Sequence, residues 1–114
     1  MNSDSAEKPL AWLHGEVRTP LFSADARMEA GELLGCLQKG ISLELPHARP
    51  MPVIGPGCLE LRVRDRNVDW RIVVHVAPDV VAILEVFAKK TARTPRLVIE
   101  NCRRRLGMFH EMDD

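Results

Sequence analysis

The chain has no tyrosine, only three phenylalanines and two tryptophans, and just three cysteines. An odd number of cysteines, Cys36, Cys58 and Cys102, widely spaced and set in apolar patterns, argues against a disulfide framework and for reduced core thiols. Surplus charge is missing as well. Sixteen Lys and Arg meet sixteen Asp and Glu in 114 residues, so total charge gives no warrant for nucleic-acid binding. No apolar run reaches the length of a membrane span. Residues 1–9 are polar and carry Asp4 and Glu7, unlike a signal peptide, so a cytoplasmic chain with no membrane partner is expected. Four histidines and three cysteines show no metal-ligand spacing, and Gly55-Pro56-Gly57 lacks the Gly-Lys-Ser/Thr ending of a phosphate loop. Neither a metal nor another cofactor is expected. There is no internal repeat, low-complexity tract or heptad run.

What is present is a charge gradient and a run of strands. Between Arg62 and Arg105 eleven Lys and Arg face five Asp and Glu, an excess of six positive charges that the rest of the chain must cancel. Such a bipolar molecule can present a basic groove to phosphates while its other part stays acidic. The plainer alternative is that the basic residues are spread around the solvated surface. Leu59-Glu60-Leu61-Arg62-Val63-Arg64 and Trp70-Arg71-Ile72-Val73-Val74-His75-Val76 alternate with period two, as strands with one buried and one wet face should. Residues 65–69 are polar enough to turn the chain between them, and residues 80–88 suit a central strand that ends in Lys89-Lys90-Thr91. Paired in order, these strands place Arg62, Arg64, Arg71 and His75 on one surface with the lysines at its edge. Adjacent lysines face opposite sides of a strand, so one of Lys89 and Lys90 reaches that surface, and the pattern does not say which.

The remainder frames this sheet. Residues 1–8 read as a flexible tail, residues 9–14 as an edge strand and residues 15–21 as a loop. Ser23 stands where a helix N-cap belongs, and Ala26, Ala30, Leu33, Leu34 and Leu37 recur at helical spacing until Gly40. Gly31 and Gly35 inside that helix imply a close packing contact or a break into two helices. Residues 41–57 hold four prolines and two glycines, too many breakers for regular structure, and a loop of this length in a small domain suggests function. Its reactive side chains are His47 and Arg49. Thr94-Pro95 starts a last helix with the stripe Val98, Cys102, Leu106 and Phe109, and Arg103, Arg104 and Arg105 read as complementing its C-terminal dipole. The expectation is a single α+β domain over residues 9–114, a small antiparallel sheet with helices packed on one face.

Five pieces of this sequence, in order, carry a resemblance: Leu45-Pro46-His47-Ala48-Arg49-Pro50, Leu59-Glu60-Leu61-Arg62-Val63-Arg64-Asp65, Trp70-Arg71-Ile72-Val73, Val86-Phe87-Ala88-Lys89-Lys90-Thr91 and Thr94-Pro95. From about Trp12 onward the chain resembles the RelE/ParE toxin superfamily of type II toxin–antitoxin modules, its HigB-like phage-derived branch in particular. The resemblance implies a RelE-like toxin that cleaves mRNA on the translating ribosome and is silenced by a cognate antitoxin, a helix-turn-helix protein. It implies a monomer or a toxin–antitoxin hetero-oligomer, and a metal-free site of Arg and Lys on the sheet face. By position, the strand arginines fall on Arg62 and Arg71, the lysine motif on Phe87, Lys89, Lys90 and Thr91, and the loop motif on His47. Many relatives are basic and place a tyrosine near the site; this chain departs from both patterns.

Metal-free RNA cleavage is in-line attack of a ribose 2′-OH on the adjacent phosphate, and its transition state gathers negative charge that fixed cations stabilise. Arginine suits that task because its planar fork grips two phosphate oxygens and never loses its charge. Arg62 and Arg71 are therefore the expected clamp, unless they are solvated strand residues paired with Glu60, Asp69 or Glu85. Proton transfer needs another group: Lys89, Lys90, His75 or His47. Arg49, Arg64, Phe87 and Thr91 complete the expected RNA-binding set, Phe87 by stacking on a base. Two other functions fit the same resemblance, a ParE-like poison of DNA gyrase that cleaves no RNA, and a catalytically silent antitoxin-binding or regulatory module.

Overall fold

The computed structural model describes residues 7–13 and 22–113. Its elements in order are β1 (Leu10–Trp12), α1 (Ala24–Gln38), β2 (Ala48–Pro50), β3 (Cys58–Asp65), β4 (Val68–Val76), β5 (Val81–Lys89) and α2 (Arg96–Asp113). The five strands form one sheet in the order β1-β5-β4-β3-β2. β3, β4 and β5 pair antiparallel in order, as expected; β2, which was not expected, adds antiparallel to β3, and β1 lies parallel to β5, so the sheet is mixed. α1 and three strands separate β1 from β5 in the chain, so no hairpin forces that pair to be antiparallel. No helix among the described residues is long and apolar enough to cross a membrane.

The α+β class holds, while the placement of the helices differs from a one-sided layer. α1 covers one face through Ala26, Ala30, Leu33, Leu34 and Leu37, packed on Leu61, Val63, Ile72, Val74, Val81 and Ile83. α2 covers the other through Cys102, Leu106 and Phe109, packed on Cys58, Val73, Ala82 and Leu84. The cause lies in the central strands. Ile72, Val73 and Val74 are consecutive and buried, as are Val81, Ala82, Ile83 and Leu84, so both faces of the sheet are apolar there and both need a cover.

Ser23 caps α1 as expected, its Oγ accepting the N–H of Ala26 at 3.1 Å. The helix is unbroken, and a Cβ at Gly31 or Gly35 would meet nothing within 4 Å, so neither the close contact nor the break is present. Gly40, at φ +82°, takes the left-handed conformation that ends the helix. Of the expected tail, only Glu7 and Lys8 fall within the described residues, and the backbone of Lys8 is tied to Gln38 by two bonds of 2.8 Å. The expected loop over residues 15–21 lies outside them. The proline-rich segment is not wholly irregular: β2 is a three-residue edge strand inside it, with Pro50 in the edge position where a missing N–H is tolerated. The hairpin between β3 and β4 is tighter than a turn over residues 65–69, with Arg66 at φ 54° in a two-residue connection.

One irregularity decides the site. Val74 pairs with Ile83 and Val73 with Glu85, which leaves Leu84 as an extra residue in β5. The bulge turns Leu84 and Glu85 both toward α2, and beyond it Phe87 and Lys89, instead of Val86 and Ala88, stand on the α2 side.

Candidate nucleic-acid interface

On the α2 side of the sheet, past the end of the helix cover, polar residues replace the apolar ones. β3 supplies Glu60, Arg62 and Arg64, and the register sets Arg62 directly opposite Arg71 and Arg64 opposite Asp69. β5 brings Phe87 opposite Arg71 and Lys89 opposite Asp69, and β2 brings Arg49 opposite Glu60. Like charges facing each other across a strand pair repel, so the Arg62–Arg71 pair needs a counter-charge.

Glu60 is that counter-charge, and its side chain is fully buried. Its Oε1 lies 3.5 Å from Arg71 Nε and 3.6 Å from Lys89 Nζ, within ion-pair range of both and hydrogen-bonded by neither. Its Oε2 accepts a 2.6 Å bond from the hydroxyl of Thr94. Thr94-Pro95 leads into α2 as expected, the Ile99 N–H donating to the Pro95 carbonyl at 3.2 Å, and the Thr94 side chain also ties this segment down onto the sheet. Arg71 also donates from Nη1 to the carbonyl of Trp70 at 3.1 Å. The Nε atoms of Arg62 and Arg71 are both buried without a hydrogen-bond partner.

The two arginines open into a cleft of about 340 Å³ that Arg64, His47, Asp69 and Glu29 of α1 also line. His47 is exposed, and its carbonyl accepts the N–H of Arg62 at 2.9 Å. Arg64 is exposed and loosely paired with Asp69 at 3.8 Å. The expected site residues thus divide. Arg62, Arg71, Lys89, Arg64 and His47 come together, and Arg49 stands one register step away on the same face. Lys90 is exposed and outside the Glu60 cluster, since the bulge gives Lys89 the inward position. Phe87 is half-buried and packs against the α2-side core, and the exposed Thr91 spends its hydroxyl on the carbonyl of Arg93 at 2.7 Å.

His75 is not part of this group. It shares the sheet face but lies beneath α2, only 9% exposed, 3.7 Å from Cys58 Sγ and edge-on to Phe109 and His110. Burial, aided by the charge of His110, lowers its pKa below the usual imidazole value. The arginine triplet is also elsewhere. α2 runs on to Asp113, so these residues sit in mid-helix and have no C-terminal dipole to complement. Arg103 donates to the carbonyl of Val53, and Arg105 to that of Leu84 and to Glu85 at 3.0 Å.

Sequence reasoning missed Glu60 as an organiser. In an alternating strand it looks like any wet-face residue; only its register beside two cations and the return of residues 90–95 over it bury the carboxylate. Among the described residues no three His, Cys, Asp or Glu converge as a metal site would require.

A comparison with curated proteins returns no match. A protein-family profile described as Phage derived protein Gp49-like (DUF891) matches residues 21–107, which takes in α1, β2 to β5 and most of α2. With most of its length and every residue of the arginine cleft inside that match, the chain belongs to the Gp49-like family of phage-derived proteins, a toxin–antitoxin-associated family related to the RelE-like toxins.

Proposed function

We propose that the protein is the toxin of a type II toxin–antitoxin pair and acts in the cytoplasm as an mRNA endoribonuclease on the translating ribosome, without a metal, until its antitoxin neutralises it. The observation that carries this reading is the Arg62–Arg71 pair, set face to face on a cleft, with buried Nε atoms that have no hydrogen-bond partner among the described residues. In the reaction a 2′-oxygen forms a bond to phosphorus while the bond from phosphorus to the 5′-oxygen breaks. The 2′-hydroxyl proton is lost to a base and a proton is delivered to the leaving oxygen, giving a cyclic phosphate and a 5′-OH end. Arg62 and Arg71 hold the non-bridging oxygens, where charge accumulates. Lys89 offsets the negative charge of the Glu60 carboxylate that it shares with Arg71, so the site stays cationic. His47, at the exposed rim, is the proton carrier that this arrangement offers, since imidazole is the side-chain type suited to proton transfer near neutral pH.

A second reading has a specific observation in its favour. Glu60 already engages Arg71 and Lys89, which suits a catalytically silent antitoxin-binding module as well as a poised site. Induction of the chain in a bacterial host, with mapping of mRNA 5′ ends and a parallel supercoiling assay, separates the readings. Growth arrest with new 5′-OH ends, reduced about 10²–10³-fold by Arg62→Ala, is the expected result. Arrest with intact mRNA and blocked supercoiling identifies a gyrase poison, and no arrest beside a bound antitoxin identifies the silent module.

A further inference from the structure

The arginine face holds a second hollow. A pocket of about 410 Å³ is lined by Arg49, Met51, Val53, Arg93, Thr94 and Ile99 among others. That volume is within the range of about 300–1,000 Å³ typical of small-ligand sites. Three separate elements wall it, and each wall is pinned. Arg103 of α2 donates from Nε and Nη2 to the carbonyl of Val53 at 2.9 and 2.6 Å. Thr94 is held by Glu60, and the loop bearing Arg93 is held by Thr91. Met51 is buried and Ile99 half-buried, which makes the floor apolar. Arg49 and Arg93 stand exposed at the rims, and neither guanidinium has a hydrogen-bond or ion-pair partner among the described residues.

The hollow and the cleft share no lining residue, but the strand register sets them side by side. Arg49 faces Glu60 across the β2–β3 ladder, and Glu60 is two residues from Arg62. With strands about 4.8 Å apart and a rise of about 3.4 Å per residue, the Arg49 and Arg62 backbones are about 8 Å apart, on the scale of one nucleotide step. An apolar floor with planar cations at the rim suits a flat heteroaromatic ring joined to a phosphate, because arginine both stacks on bases and attracts the backbone.

We propose that this pocket seats the unpaired base adjacent to the cleaved phosphodiester, so that the substrate is single-stranded RNA held at two successive nucleotides, one by its phosphate and one by its base. The proposal rests on the nuclease reading, and its test separates the two. The full chain is titrated with inorganic phosphate, ribose 5-phosphate and each of the four common nucleoside monophosphates, with backbone amides followed by NMR. Phosphate and ribose 5-phosphate are expected to move the amides around Arg62, Arg64 and Arg71. At least one nucleoside monophosphate is expected to bind about tenfold more tightly than ribose 5-phosphate and to move Met51, Thr94 and Ile99 in addition. Ile99→Glu removes that tenfold gain and leaves phosphate binding unchanged, which also shows that the variant folds. Arg93→Ala, at an exposed position, weakens the same gain.

Equal affinities for ribose 5-phosphate and all four nucleotides overturn the proposal, as does a gain that Ile99→Glu leaves intact. Pocket amides untouched by nucleotides but protected in the complex with a co-expressed antitoxin give the pocket to a protein partner and overturn it too. A nucleotide response at Met51, Thr94 and Ile99 without any phosphate response at Arg62 and Arg71 supports the base pocket and counts against the phosphate clamp alone.

Discussion

Removing the carboxylate of Glu60 tests whether the site is held together by one buried anion. Glu60→Gln keeps the shape of the side chain and an oxygen for the Thr94 hydroxyl, and deletes only the charge. In the structure that charge sits 3.5 Å from Arg71 Nε and 3.6 Å from Lys89 Nζ, with the Lys89 side chain only 6% exposed. At an effective dielectric of about 20, each contact has a Coulomb energy of about 4–5 kcal/mol. Much of this offsets the desolvation of three ions and the mutual repulsion of the cations, so the pair energies are not the cost of the mutation. What remains after the change is Arg62, Arg71 and Lys89 crowded on one face without the buried carboxylate that Arg71 and Lys89 share. Breaking a buried pair in this way costs about 3–5 kcal/mol. For a domain of this size such a loss lowers Tm by at least about 10 °C. Urea unfolding with an unchanged m-value gives the free energy, and a double-mutant cycle with Lys89→Met isolates the pairwise part, expected at about 1 kcal/mol or more. A loss below about 1 kcal/mol, or a cycle that closes at zero, would refute the claim that Glu60 organises the cations.

Other consequences are simpler to check. Gly31→Ala and Gly35→Ala should each stabilise the fold by up to about 1 kcal/mol in denaturant titration, because α1 is continuous and the space beside each glycine is open. A loss of stability would reveal a packing contact at that position. The backbone N–H of Ser23, 2.8 Å from Asp65 Oδ2, and then its hydroxyl hold the Asp65 carboxyl below the usual value of 3.8. That contribution is complete above pH 3.8 and is lost as pH falls through the folded-state value, so Asp65→Asn should flatten the acid limb of the stability curve and leave its slope near neutrality alone. Burial pushes the Cys58 thiol up to about 11, and burial followed by the charge of Glu85 pushes Cys102 up to about 12. Iodoacetamide at pH 8 should therefore label the partly exposed Cys36 well before either, as read by peptide mass spectrometry; early labelling of Cys58 would show that α2 opens readily.

Much of this architecture was legible because local rules and tertiary structure agree. Ser23 is an N-cap both in the sequence pattern and in the geometry, the apolar stripe of α1 is the face it buries, and the Glu-Leu-Arg-Val-Arg alternation pairs with Trp70-Arg71-Ile72-Val73 in the register that brings Arg62 to Arg71. Where the reading failed, a distant segment intervened. An alternating strand shows which residues share a face and not what covers that face. His75 looked equivalent to Arg71 by parity, yet α2 closes over His75 and stops short of Arg71. Glu60 looked solvated until the Thr94 segment returned over it.

The position of Lys89 shows a deeper limit, and it bears on how such a site is built. Counting by twos from Val81 and Ile83, which face α1, places Glu85, Phe87 and Lys89 on the α1 side and leaves Lys90 for the arginine face. The chain does the reverse, because Leu84 is an extra residue and every side chain after it changes face. Nothing in Val81-Ala82-Ile83-Leu84-Glu85 announces this, since no glycine or proline marks the bulge. Its use becomes clear only from both ends of β5. Toward Val81 the strand must bury apolar side chains on two faces; toward Lys89 it must deliver a cation beside Arg71 while Val86 remains with the α1-side core. A strictly alternating strand would need a different residue order to do both, and one inserted residue reconciles them.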